Sequence, residues 1–152
     1  FIPRGTTANK QGRIAGANLA GGDERFRGVA GTSITKVFGL EVGHTGLLDA
    51  EAAAAGLDFA TSTVRARTRA HAYPGAKPIA VRLAFEKGTG RLLGCQMVGG
   101  EAVAKRIDIV VAALYAGWTL DELAALDLSY APPFAPVWDP VLVAANVAKK
   151  KV

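Results

Sequence analysis

The chain has a single cysteine, Cys95, among 152 residues. One thiol cannot close an internal disulfide or build a multi-cysteine metal site, and the lack of disulfides fits a reducing compartment such as the cytoplasm. Histidine is nearly as scarce. His44 and His71 stand far apart with no metal-ligand spacing around them, so no metal is expected. No apolar run approaches the roughly 20 residues needed to span a bilayer. No basic, then apolar, then small-residue signal opens the chain. Its first residues, Phe1-Ile2-Pro3-Arg4, read as the middle of something longer. Glycine is plentiful, at 18 residues, but stretches such as Gly88-Thr89-Gly90 match no phosphate-cradling fingerprint and read as turns. The formal charge is +5. It could favour an anionic ligand, or simply reflect a solvated surface and the tail Lys149, Lys150 and Lys151. Nucleic acid is not an expected partner, because no basic helix or aromatic-interleaved basic run is present.

What is present suits one soluble globular domain: half the residues are hydrophobic and a fifth charged. Residues 6–19 predict a helix, capped by Thr6 or Thr7 and stopped by Gly21-Gly22. Its interior is too poor in large apolar groups to stand alone, so it should lean on a neighbour. Residues 29–47 read as strand and turn, and 49–55 as a short helix ended by Gly56. Residues 57–70 read as a long strand with Arg65, Arg67 and Arg69 on one face. Residues 78–86 alternate Ile79, Val81, Leu83 and Phe85 against Arg82 and Glu86, and 91–98 return after a turn. Such short connections require antiparallel pairing. A helix is predicted from Glu101 to Tyr115, then a capping box at Thr119 and Glu122 opens another over 120–126. Pro132, Pro133, Pro136 and Pro140 forbid a long helix in the tail, leaving a final turn or two at 141–148. The expected fold is α+β, an antiparallel sheet with helices packed on one face.

Spacing alone assembles no catalytic machine. Cys95 lies in mid-strand and reads as a small buried hydrophobe. Two features stand out. One is Tyr73-Pro74-Gly75, a tyrosine in a turn between strands. The other is Ser129 to Pro140, where prolines stiffen a segment carrying Tyr130, Phe134 and Trp138. Stiff backbone presents such rings at little entropic cost. The plainer alternative is a loop pinned to its own core by Phe134 and Trp138.

Five ordered segments resemble the C-terminal third of the pyridine nucleotide-disulfide oxidoreductases. They are Thr6 to Gly16, Gly31-Thr32-Ser33 with Thr45-Gly46-Leu47, Tyr73-Pro74-Gly75, Lys105-Arg106-Ile107-Asp108, and Tyr130-Ala131-Pro132-Pro133-Phe134. The last three resemble the coenzyme A-disulfide reductase branch in particular. The resemblance implies residues 1–28 as a remnant of an FAD-binding domain and 29–152 as a dimerisation domain. It implies a homodimeric parent flavoenzyme using FAD and NAD(P)H to reduce coenzyme A disulfide or a related small disulfide. Tyr73 and Tyr130 would approach the partner subunit's redox cysteine and bound substrate. Gly5, Thr6 and Thr7 would abut the flavin at a helix N-terminus, and Phe134 would line the wall near the partner's flavin. Arg65, Arg67, Arg69 and Lys77 could meet coenzyme A phosphates. Cys95 does not match the redox position, so this chain alone is expected to be inactive and to bind no FAD tightly. An NADH oxidase or peroxidase, or a free-standing dimerisation module without catalysis, would be the alternatives.

Overall fold

The computed structural model describes residues 4–152; the reading of Phe1-Ile2-Pro3 as an internal start lies outside them. Five strands form one antiparallel sheet in the order β1-β2-β5-β4-β3: β1 Ser33–Val37, β2 Leu40–Gly46, β3 Phe59–Arg67, β4 Pro78–Glu86 and β5 Leu92–Gly99. The β3–β4–β5 meander follows from the period-two pattern. Ile79, Val81, Leu83 and Phe85 all face the core, with Cys95 and Met97 beside them on the neighbouring strand. On the other face Arg82, half exposed, pairs with Asp49 at the start of α2 (Asp49–Ala54).

Helices cover the apolar face. α3 (Val103–Ala116) packs on β2 and β5, and α5 (Pro140–Ala148) packs on β3 and β4. Val103, Ile107, Val110 and Ala113 supply the buried stripe of α3 at helical spacing. The predicted capping box holds: Thr119 and Glu122 bond reciprocally and open α4 (Leu120–Ala124). Pro140 stands at the first helical position of α5, where its missing N–H costs nothing. The lysine tail is less idle than a solvated run. Lys149 pairs with Asp121, and Lys151 Nζ donates to Thr61 O at 3.1 Å.

Several boundaries differ from expectation. α1 spans Gly5–Leu19 with Arg4, not Thr6 or Thr7, at the N-cap position and no side-chain cap bond. It buries none of its residues fully, as its weak apolar content suggested. β3 ends at Arg67, so the three arginines are split: Arg65 and Arg67 are exposed, while Arg69 lies in the following connection. α3 begins at Val103, two residues late. Ala102 takes a left-handed conformation (φ 59°) and turns Glu101 away from the helix. That conformation is uncommon for a residue with a Cβ.

Candidate functional site

The Pro-rich segment is held by small and charged residues rather than by its aromatics. Ala135, Asp139 and Pro140 are buried, whereas Phe134 and Trp138 are 69% and 63% exposed. The alternative in which those two rings pin the loop to the core is therefore overturned. Its root is an ion pair. Arg106 on α3 is fully buried, and its Nε reaches both Asp139 oxygens at 3.0 and 3.1 Å. A second guanidinium nitrogen reaches Asp139 at 2.9 Å and Thr68 O at 3.1 Å, while the third donates to Ala102 O at 3.3 Å. Asp139 in turn accepts from Val141 N at 3.0 Å and caps α5. A charge this deep is tolerated only when fully paired. Sequence reasoning marked Lys105-Arg106 as a family resemblance but gave Arg106 no partner. The two ends of the pair lie 33 residues apart, and no local periodicity connects them.

Above this root opens a cleft of about 660 Å³. Tyr130, Phe134, Pro133, Lys105, Arg69 and Glu101 are among its lining residues. Tyr130 is half exposed. Tyr73 does not line the cleft, but its turn is joined to the cleft wall. Ala70 N donates to Pro132 O at 3.2 Å, and Arg69 donates to Pro74 O at 3.3 Å. Glu101 accepts from Thr68 and twice from Arg69, at 2.6 to 2.8 Å. The Arg69 guanidinium beside it holds the Glu101 carboxyl below its ordinary pKa, with Thr68 adding to the effect against partial burial. Glu101 in turn raises the Arg69 pKa. With that carboxylate fully engaged, Arg69 is not a free cation for a phosphate. Lys105 in the same wall has no such partner among the described side-chain bonds.

Thr6 and Thr7 belong to a different cleft, of about 320 Å³, shared with Asp108, Val111 and Tyr115 of α3 and with Gly31 to Ile34. The first bond of α1 runs from Ala8 N to Arg4 O at 3.0 Å. The N–H groups of Gly5, Thr6 and Thr7 therefore find no acceptor within the helix, and no side chain among the described residues caps them. The structure thus brings Tyr130 to Phe134, and both close to the Tyr73 turn. It does not bring them to Gly5, Thr6 and Thr7. Cys95 is buried between strands, where burial pushes its thiol pKa up; a thiol held protonated there is a poor nucleophile. No cluster of three or more metal-ligating side chains occurs among the described residues, nor a helix long and apolar enough to cross a membrane.

The five-stranded antiparallel sheet with its covering helices agrees with a family match. The profile of the pyridine nucleotide-disulphide oxidoreductase dimerisation domain matches residues 32–140. The chain belongs to this family. A NAD(P)H sulfur oxidoreductase (CoA-dependent) from Pyrococcus furiosus is 47% identical over 98% of this chain and 34% of its own length. An NADH oxidase from Methanocaldococcus jannaschii is 39% identical over 99% of this chain and 33% of its own. Among solved structures, an NAD-dependent persulfide reductase from A. fulgidus superposes with a TM-score of 0.95 at 48% identity, covering 99% of this chain and 28% of that one. The chain spans about a third of the length of the curated relatives it matches. α3 and the Pro-rich segment from Ser129 to Pro140 fall within the matched residues.

Proposed function

We propose that this chain is the interface third of a homodimeric FAD- and NAD(P)H-dependent oxidoreductase that reduces a coenzyme A-linked disulfide or persulfide. One observation carries the reading: the residues expected at a redox site fall into two separate clefts of the same chain. Tyr130 and Phe134 line one, and Thr6 and Thr7 line the other. One chain cannot close both groups around one substrate, whereas two copies related by symmetry complete two sites, each taking one group from each copy. Residues up to about 28 then act as the tail of a flavin-binding domain.

The uncapped N–H groups of Gly5, Thr6 and Thr7 suit the polar edge of a flavin. A helix N-terminus carries partial positive charge and stabilises electron density placed there. FAD supplies the electrons that NAD(P)H delivers. This chain's residues do the rest on the substrate side. The Tyr130 hydroxyl donates a hydrogen bond to the sulfur that leaves as thiolate, while its ring packs on the pantetheine arm. Tyr73 does the same from the adjoining turn. Phe134 closes the wall and keeps water out, and Lys105 offers its charge to the phosphates. The matched relative named for coenzyme A-dependent sulfur reduction favours this acceptor. The matched NADH oxidase favours oxygen as the second reading.

Mixed dimers test the arrangement. One subunit carries Tyr73→Phe with Tyr130→Phe; the other lacks the redox thiol outside this chain. If the tyrosines serve the partner's site, the mixed dimer regains one working site that neither parent homodimer has. If they serve their own site, mixing restores nothing. Coenzyme A disulfide and oxygen, offered as alternative acceptors, separate the two readings.

A further inference from the structure

The connection between β3 and β4 has more internal bracing than a surface turn needs. Thr68 closes its base: Thr68 N donates to Lys77 O and Lys77 N donates to Thr68 Oγ1, both at 2.9 Å. Thr68 Oγ1 then donates to Glu101 Oε1 at 2.6 Å. From the next residue, Arg69 grips Glu101 with Nε at 2.8 Å and a second nitrogen at 2.7 Å. Its third nitrogen reaches inside the turn to Pro74 O at 3.3 Å. A Cβ built on Gly75, which has φ 77°, would stand 3.4 Å from that same nitrogen. The guanidinium therefore fills the inside of the Tyr73-Pro74-Gly75 turn. Tyr73 N donates to Ala70 O at 2.9 Å, and Ala70 N to Pro132 O at 3.2 Å, which ties the turn to the Tyr130 segment.

The other end of the grip is fixed as well. Glu101 precedes Ala102, whose left-handed backbone is held from both sides. Arg106 donates to Ala102 O, and Val103 N donates to Glu41 Oε2 at 2.8 Å. Side-chain rotamers of a flexible arginine are normally many; here three hydrogen bonds at two anchors, the Glu101 carboxylate and the Pro74 carbonyl, restrict them. The planar fork makes this arrangement possible, because a lysine's donors all sit on one nitrogen and cannot span the carboxylate and the carbonyl in a fixed geometry.

We infer that Arg69, clamped by Glu101, is a positioning residue that fixes the Tyr73 turn against the wall of the substrate cleft. The inference rests on the proposed role of Tyr73 toward the disulfide. It differs from a role for Arg69 in holding coenzyme A phosphates, since an arginine already bound to both oxygens of a carboxylate has little charge left to offer. A phosphate ligand and a positioning residue leave different kinetic marks. Loss of a ground-state ligand raises KM, whereas loss of positioning lowers kcat.

The experiment is a double-mutant cycle in the full flavoprotein with coenzyme A disulfide as substrate: Arg69→Met, Tyr73→Phe and both together. Tyr73→Phe and Arg69→Met are each expected to lower kcat by about 10-fold, as misplacement of a catalytic donor does, with KM changed far less. The double variant should be no more than about twofold slower than the slower single variant, because both act through one hydroxyl. Glu101→Gln, which keeps an oxygen acceptor and loses the charge, should act in the same direction and less strongly. Thermal melting of each variant separates unfolding from mispositioning, and Glu101→Gln carries the test if Arg69→Met fails to fold. Multiplying effects in the double variant, a raised KM with kcat retained, or an Arg69→Met enzyme as fast as the parent would each overturn the inference and leave the role of Tyr73 standing. A silent Tyr73→Phe would remove both.

Discussion

The Pro-rich segment has a root and a tip, and they are built on opposite principles. The root, Asp139 with Arg106, is almost without solvent contact and has every polar group paired. The tip, Tyr130 to Trp138, leaves three aromatic rings and Val137 at least half exposed. A loop stabilised for its own sake would bury its rings and solvate its charges. The inverted arrangement anchors the segment by a buried ion pair at its base and leaves its rings outside the core of the chain.

Breaking the root should have the largest effect. Arg106→Leu leaves Asp139 buried and uncompensated, which costs about 3–5 kcal/mol. Chemical denaturation should show a large drop in stability with the loss of cooperative folding at moderate temperature. Replacing both partners, Arg106→Leu with Asp139→Leu, should recover part of that loss, though α5 then lacks its cap, worth about 1 kcal/mol. A double variant as unstable as the single one would show that Asp139 is not the partner that matters.

Cutting back the tip should leave folding alone and weaken association. Trp138→Ser and Phe134→Ser remove large exposed rings of the kind that dominate interface energy, and each should cost about 1–2 kcal/mol, roughly 5- to 30-fold in the dimer Kd. Sedimentation equilibrium reads this directly, with melting temperatures as the control. Weakened folding together with unchanged association would mean that the rings belong to the core of their own chain after all.

Acid should loosen the wall between root and tip. The Glu101 carboxyl sits below its ordinary pKa of 4.5, chiefly through the Arg69 hydrogen bonds. A depressed carboxylate contributes stability in full above its unfolded value, and the contribution disappears as pH falls through the folded one. Parent and Glu101→Gln stabilities should therefore differ most at neutral pH and converge as pH falls through the depressed pKa of the folded-state carboxyl. Both groups are partly solvated, with side chains 30% and 26% exposed, so the difference should stay near or below about 1 kcal/mol. A gap that widens on acidification would contradict the assignment.

The smallest expected effect concerns Cys95. Buried on β5 with its thiol held protonated, it should react with a maleimide or aromatic disulfide reagent only as fast as the protein unfolds. Rapid labelling of native protein would place it outside the core.

Much of the fold was legible because it is written in local periods. The alternation of Ile79, Val81, Leu83 and Phe85, the Thr119–Glu122 box and Pro140 at a helix start each act within a few residues. The root was not legible, since a buried arginine has the same side chain as a solvated one, and its partner lies a long way along the chain. The start of α1 was misread for a related reason. Thr6 and Thr7 are good caps, yet the helix begins before them, with no side-chain cap bond among the described residues. The Tyr73 and Tyr130 segments stand out in the sequence separately, and only the structure joins them, through Ala70 and Pro132.

The claim that the tip serves disulfide chemistry is tested most directly by stopped-flow kinetics of Tyr130→Phe in the full flavoprotein, following the two half-reactions separately. Tyr130 is half exposed in the 660 Å³ cleft, so removing its hydroxyl should disturb neither folding nor packing. The account predicts reduction of coenzyme A disulfide slowed by about 10²-fold, in the range for loss of a proton-donating group, while flavin reduction by NAD(P)H keeps close to its parent rate. Equal slowing of both half-reactions, or unchanged disulfide reduction, would contradict it.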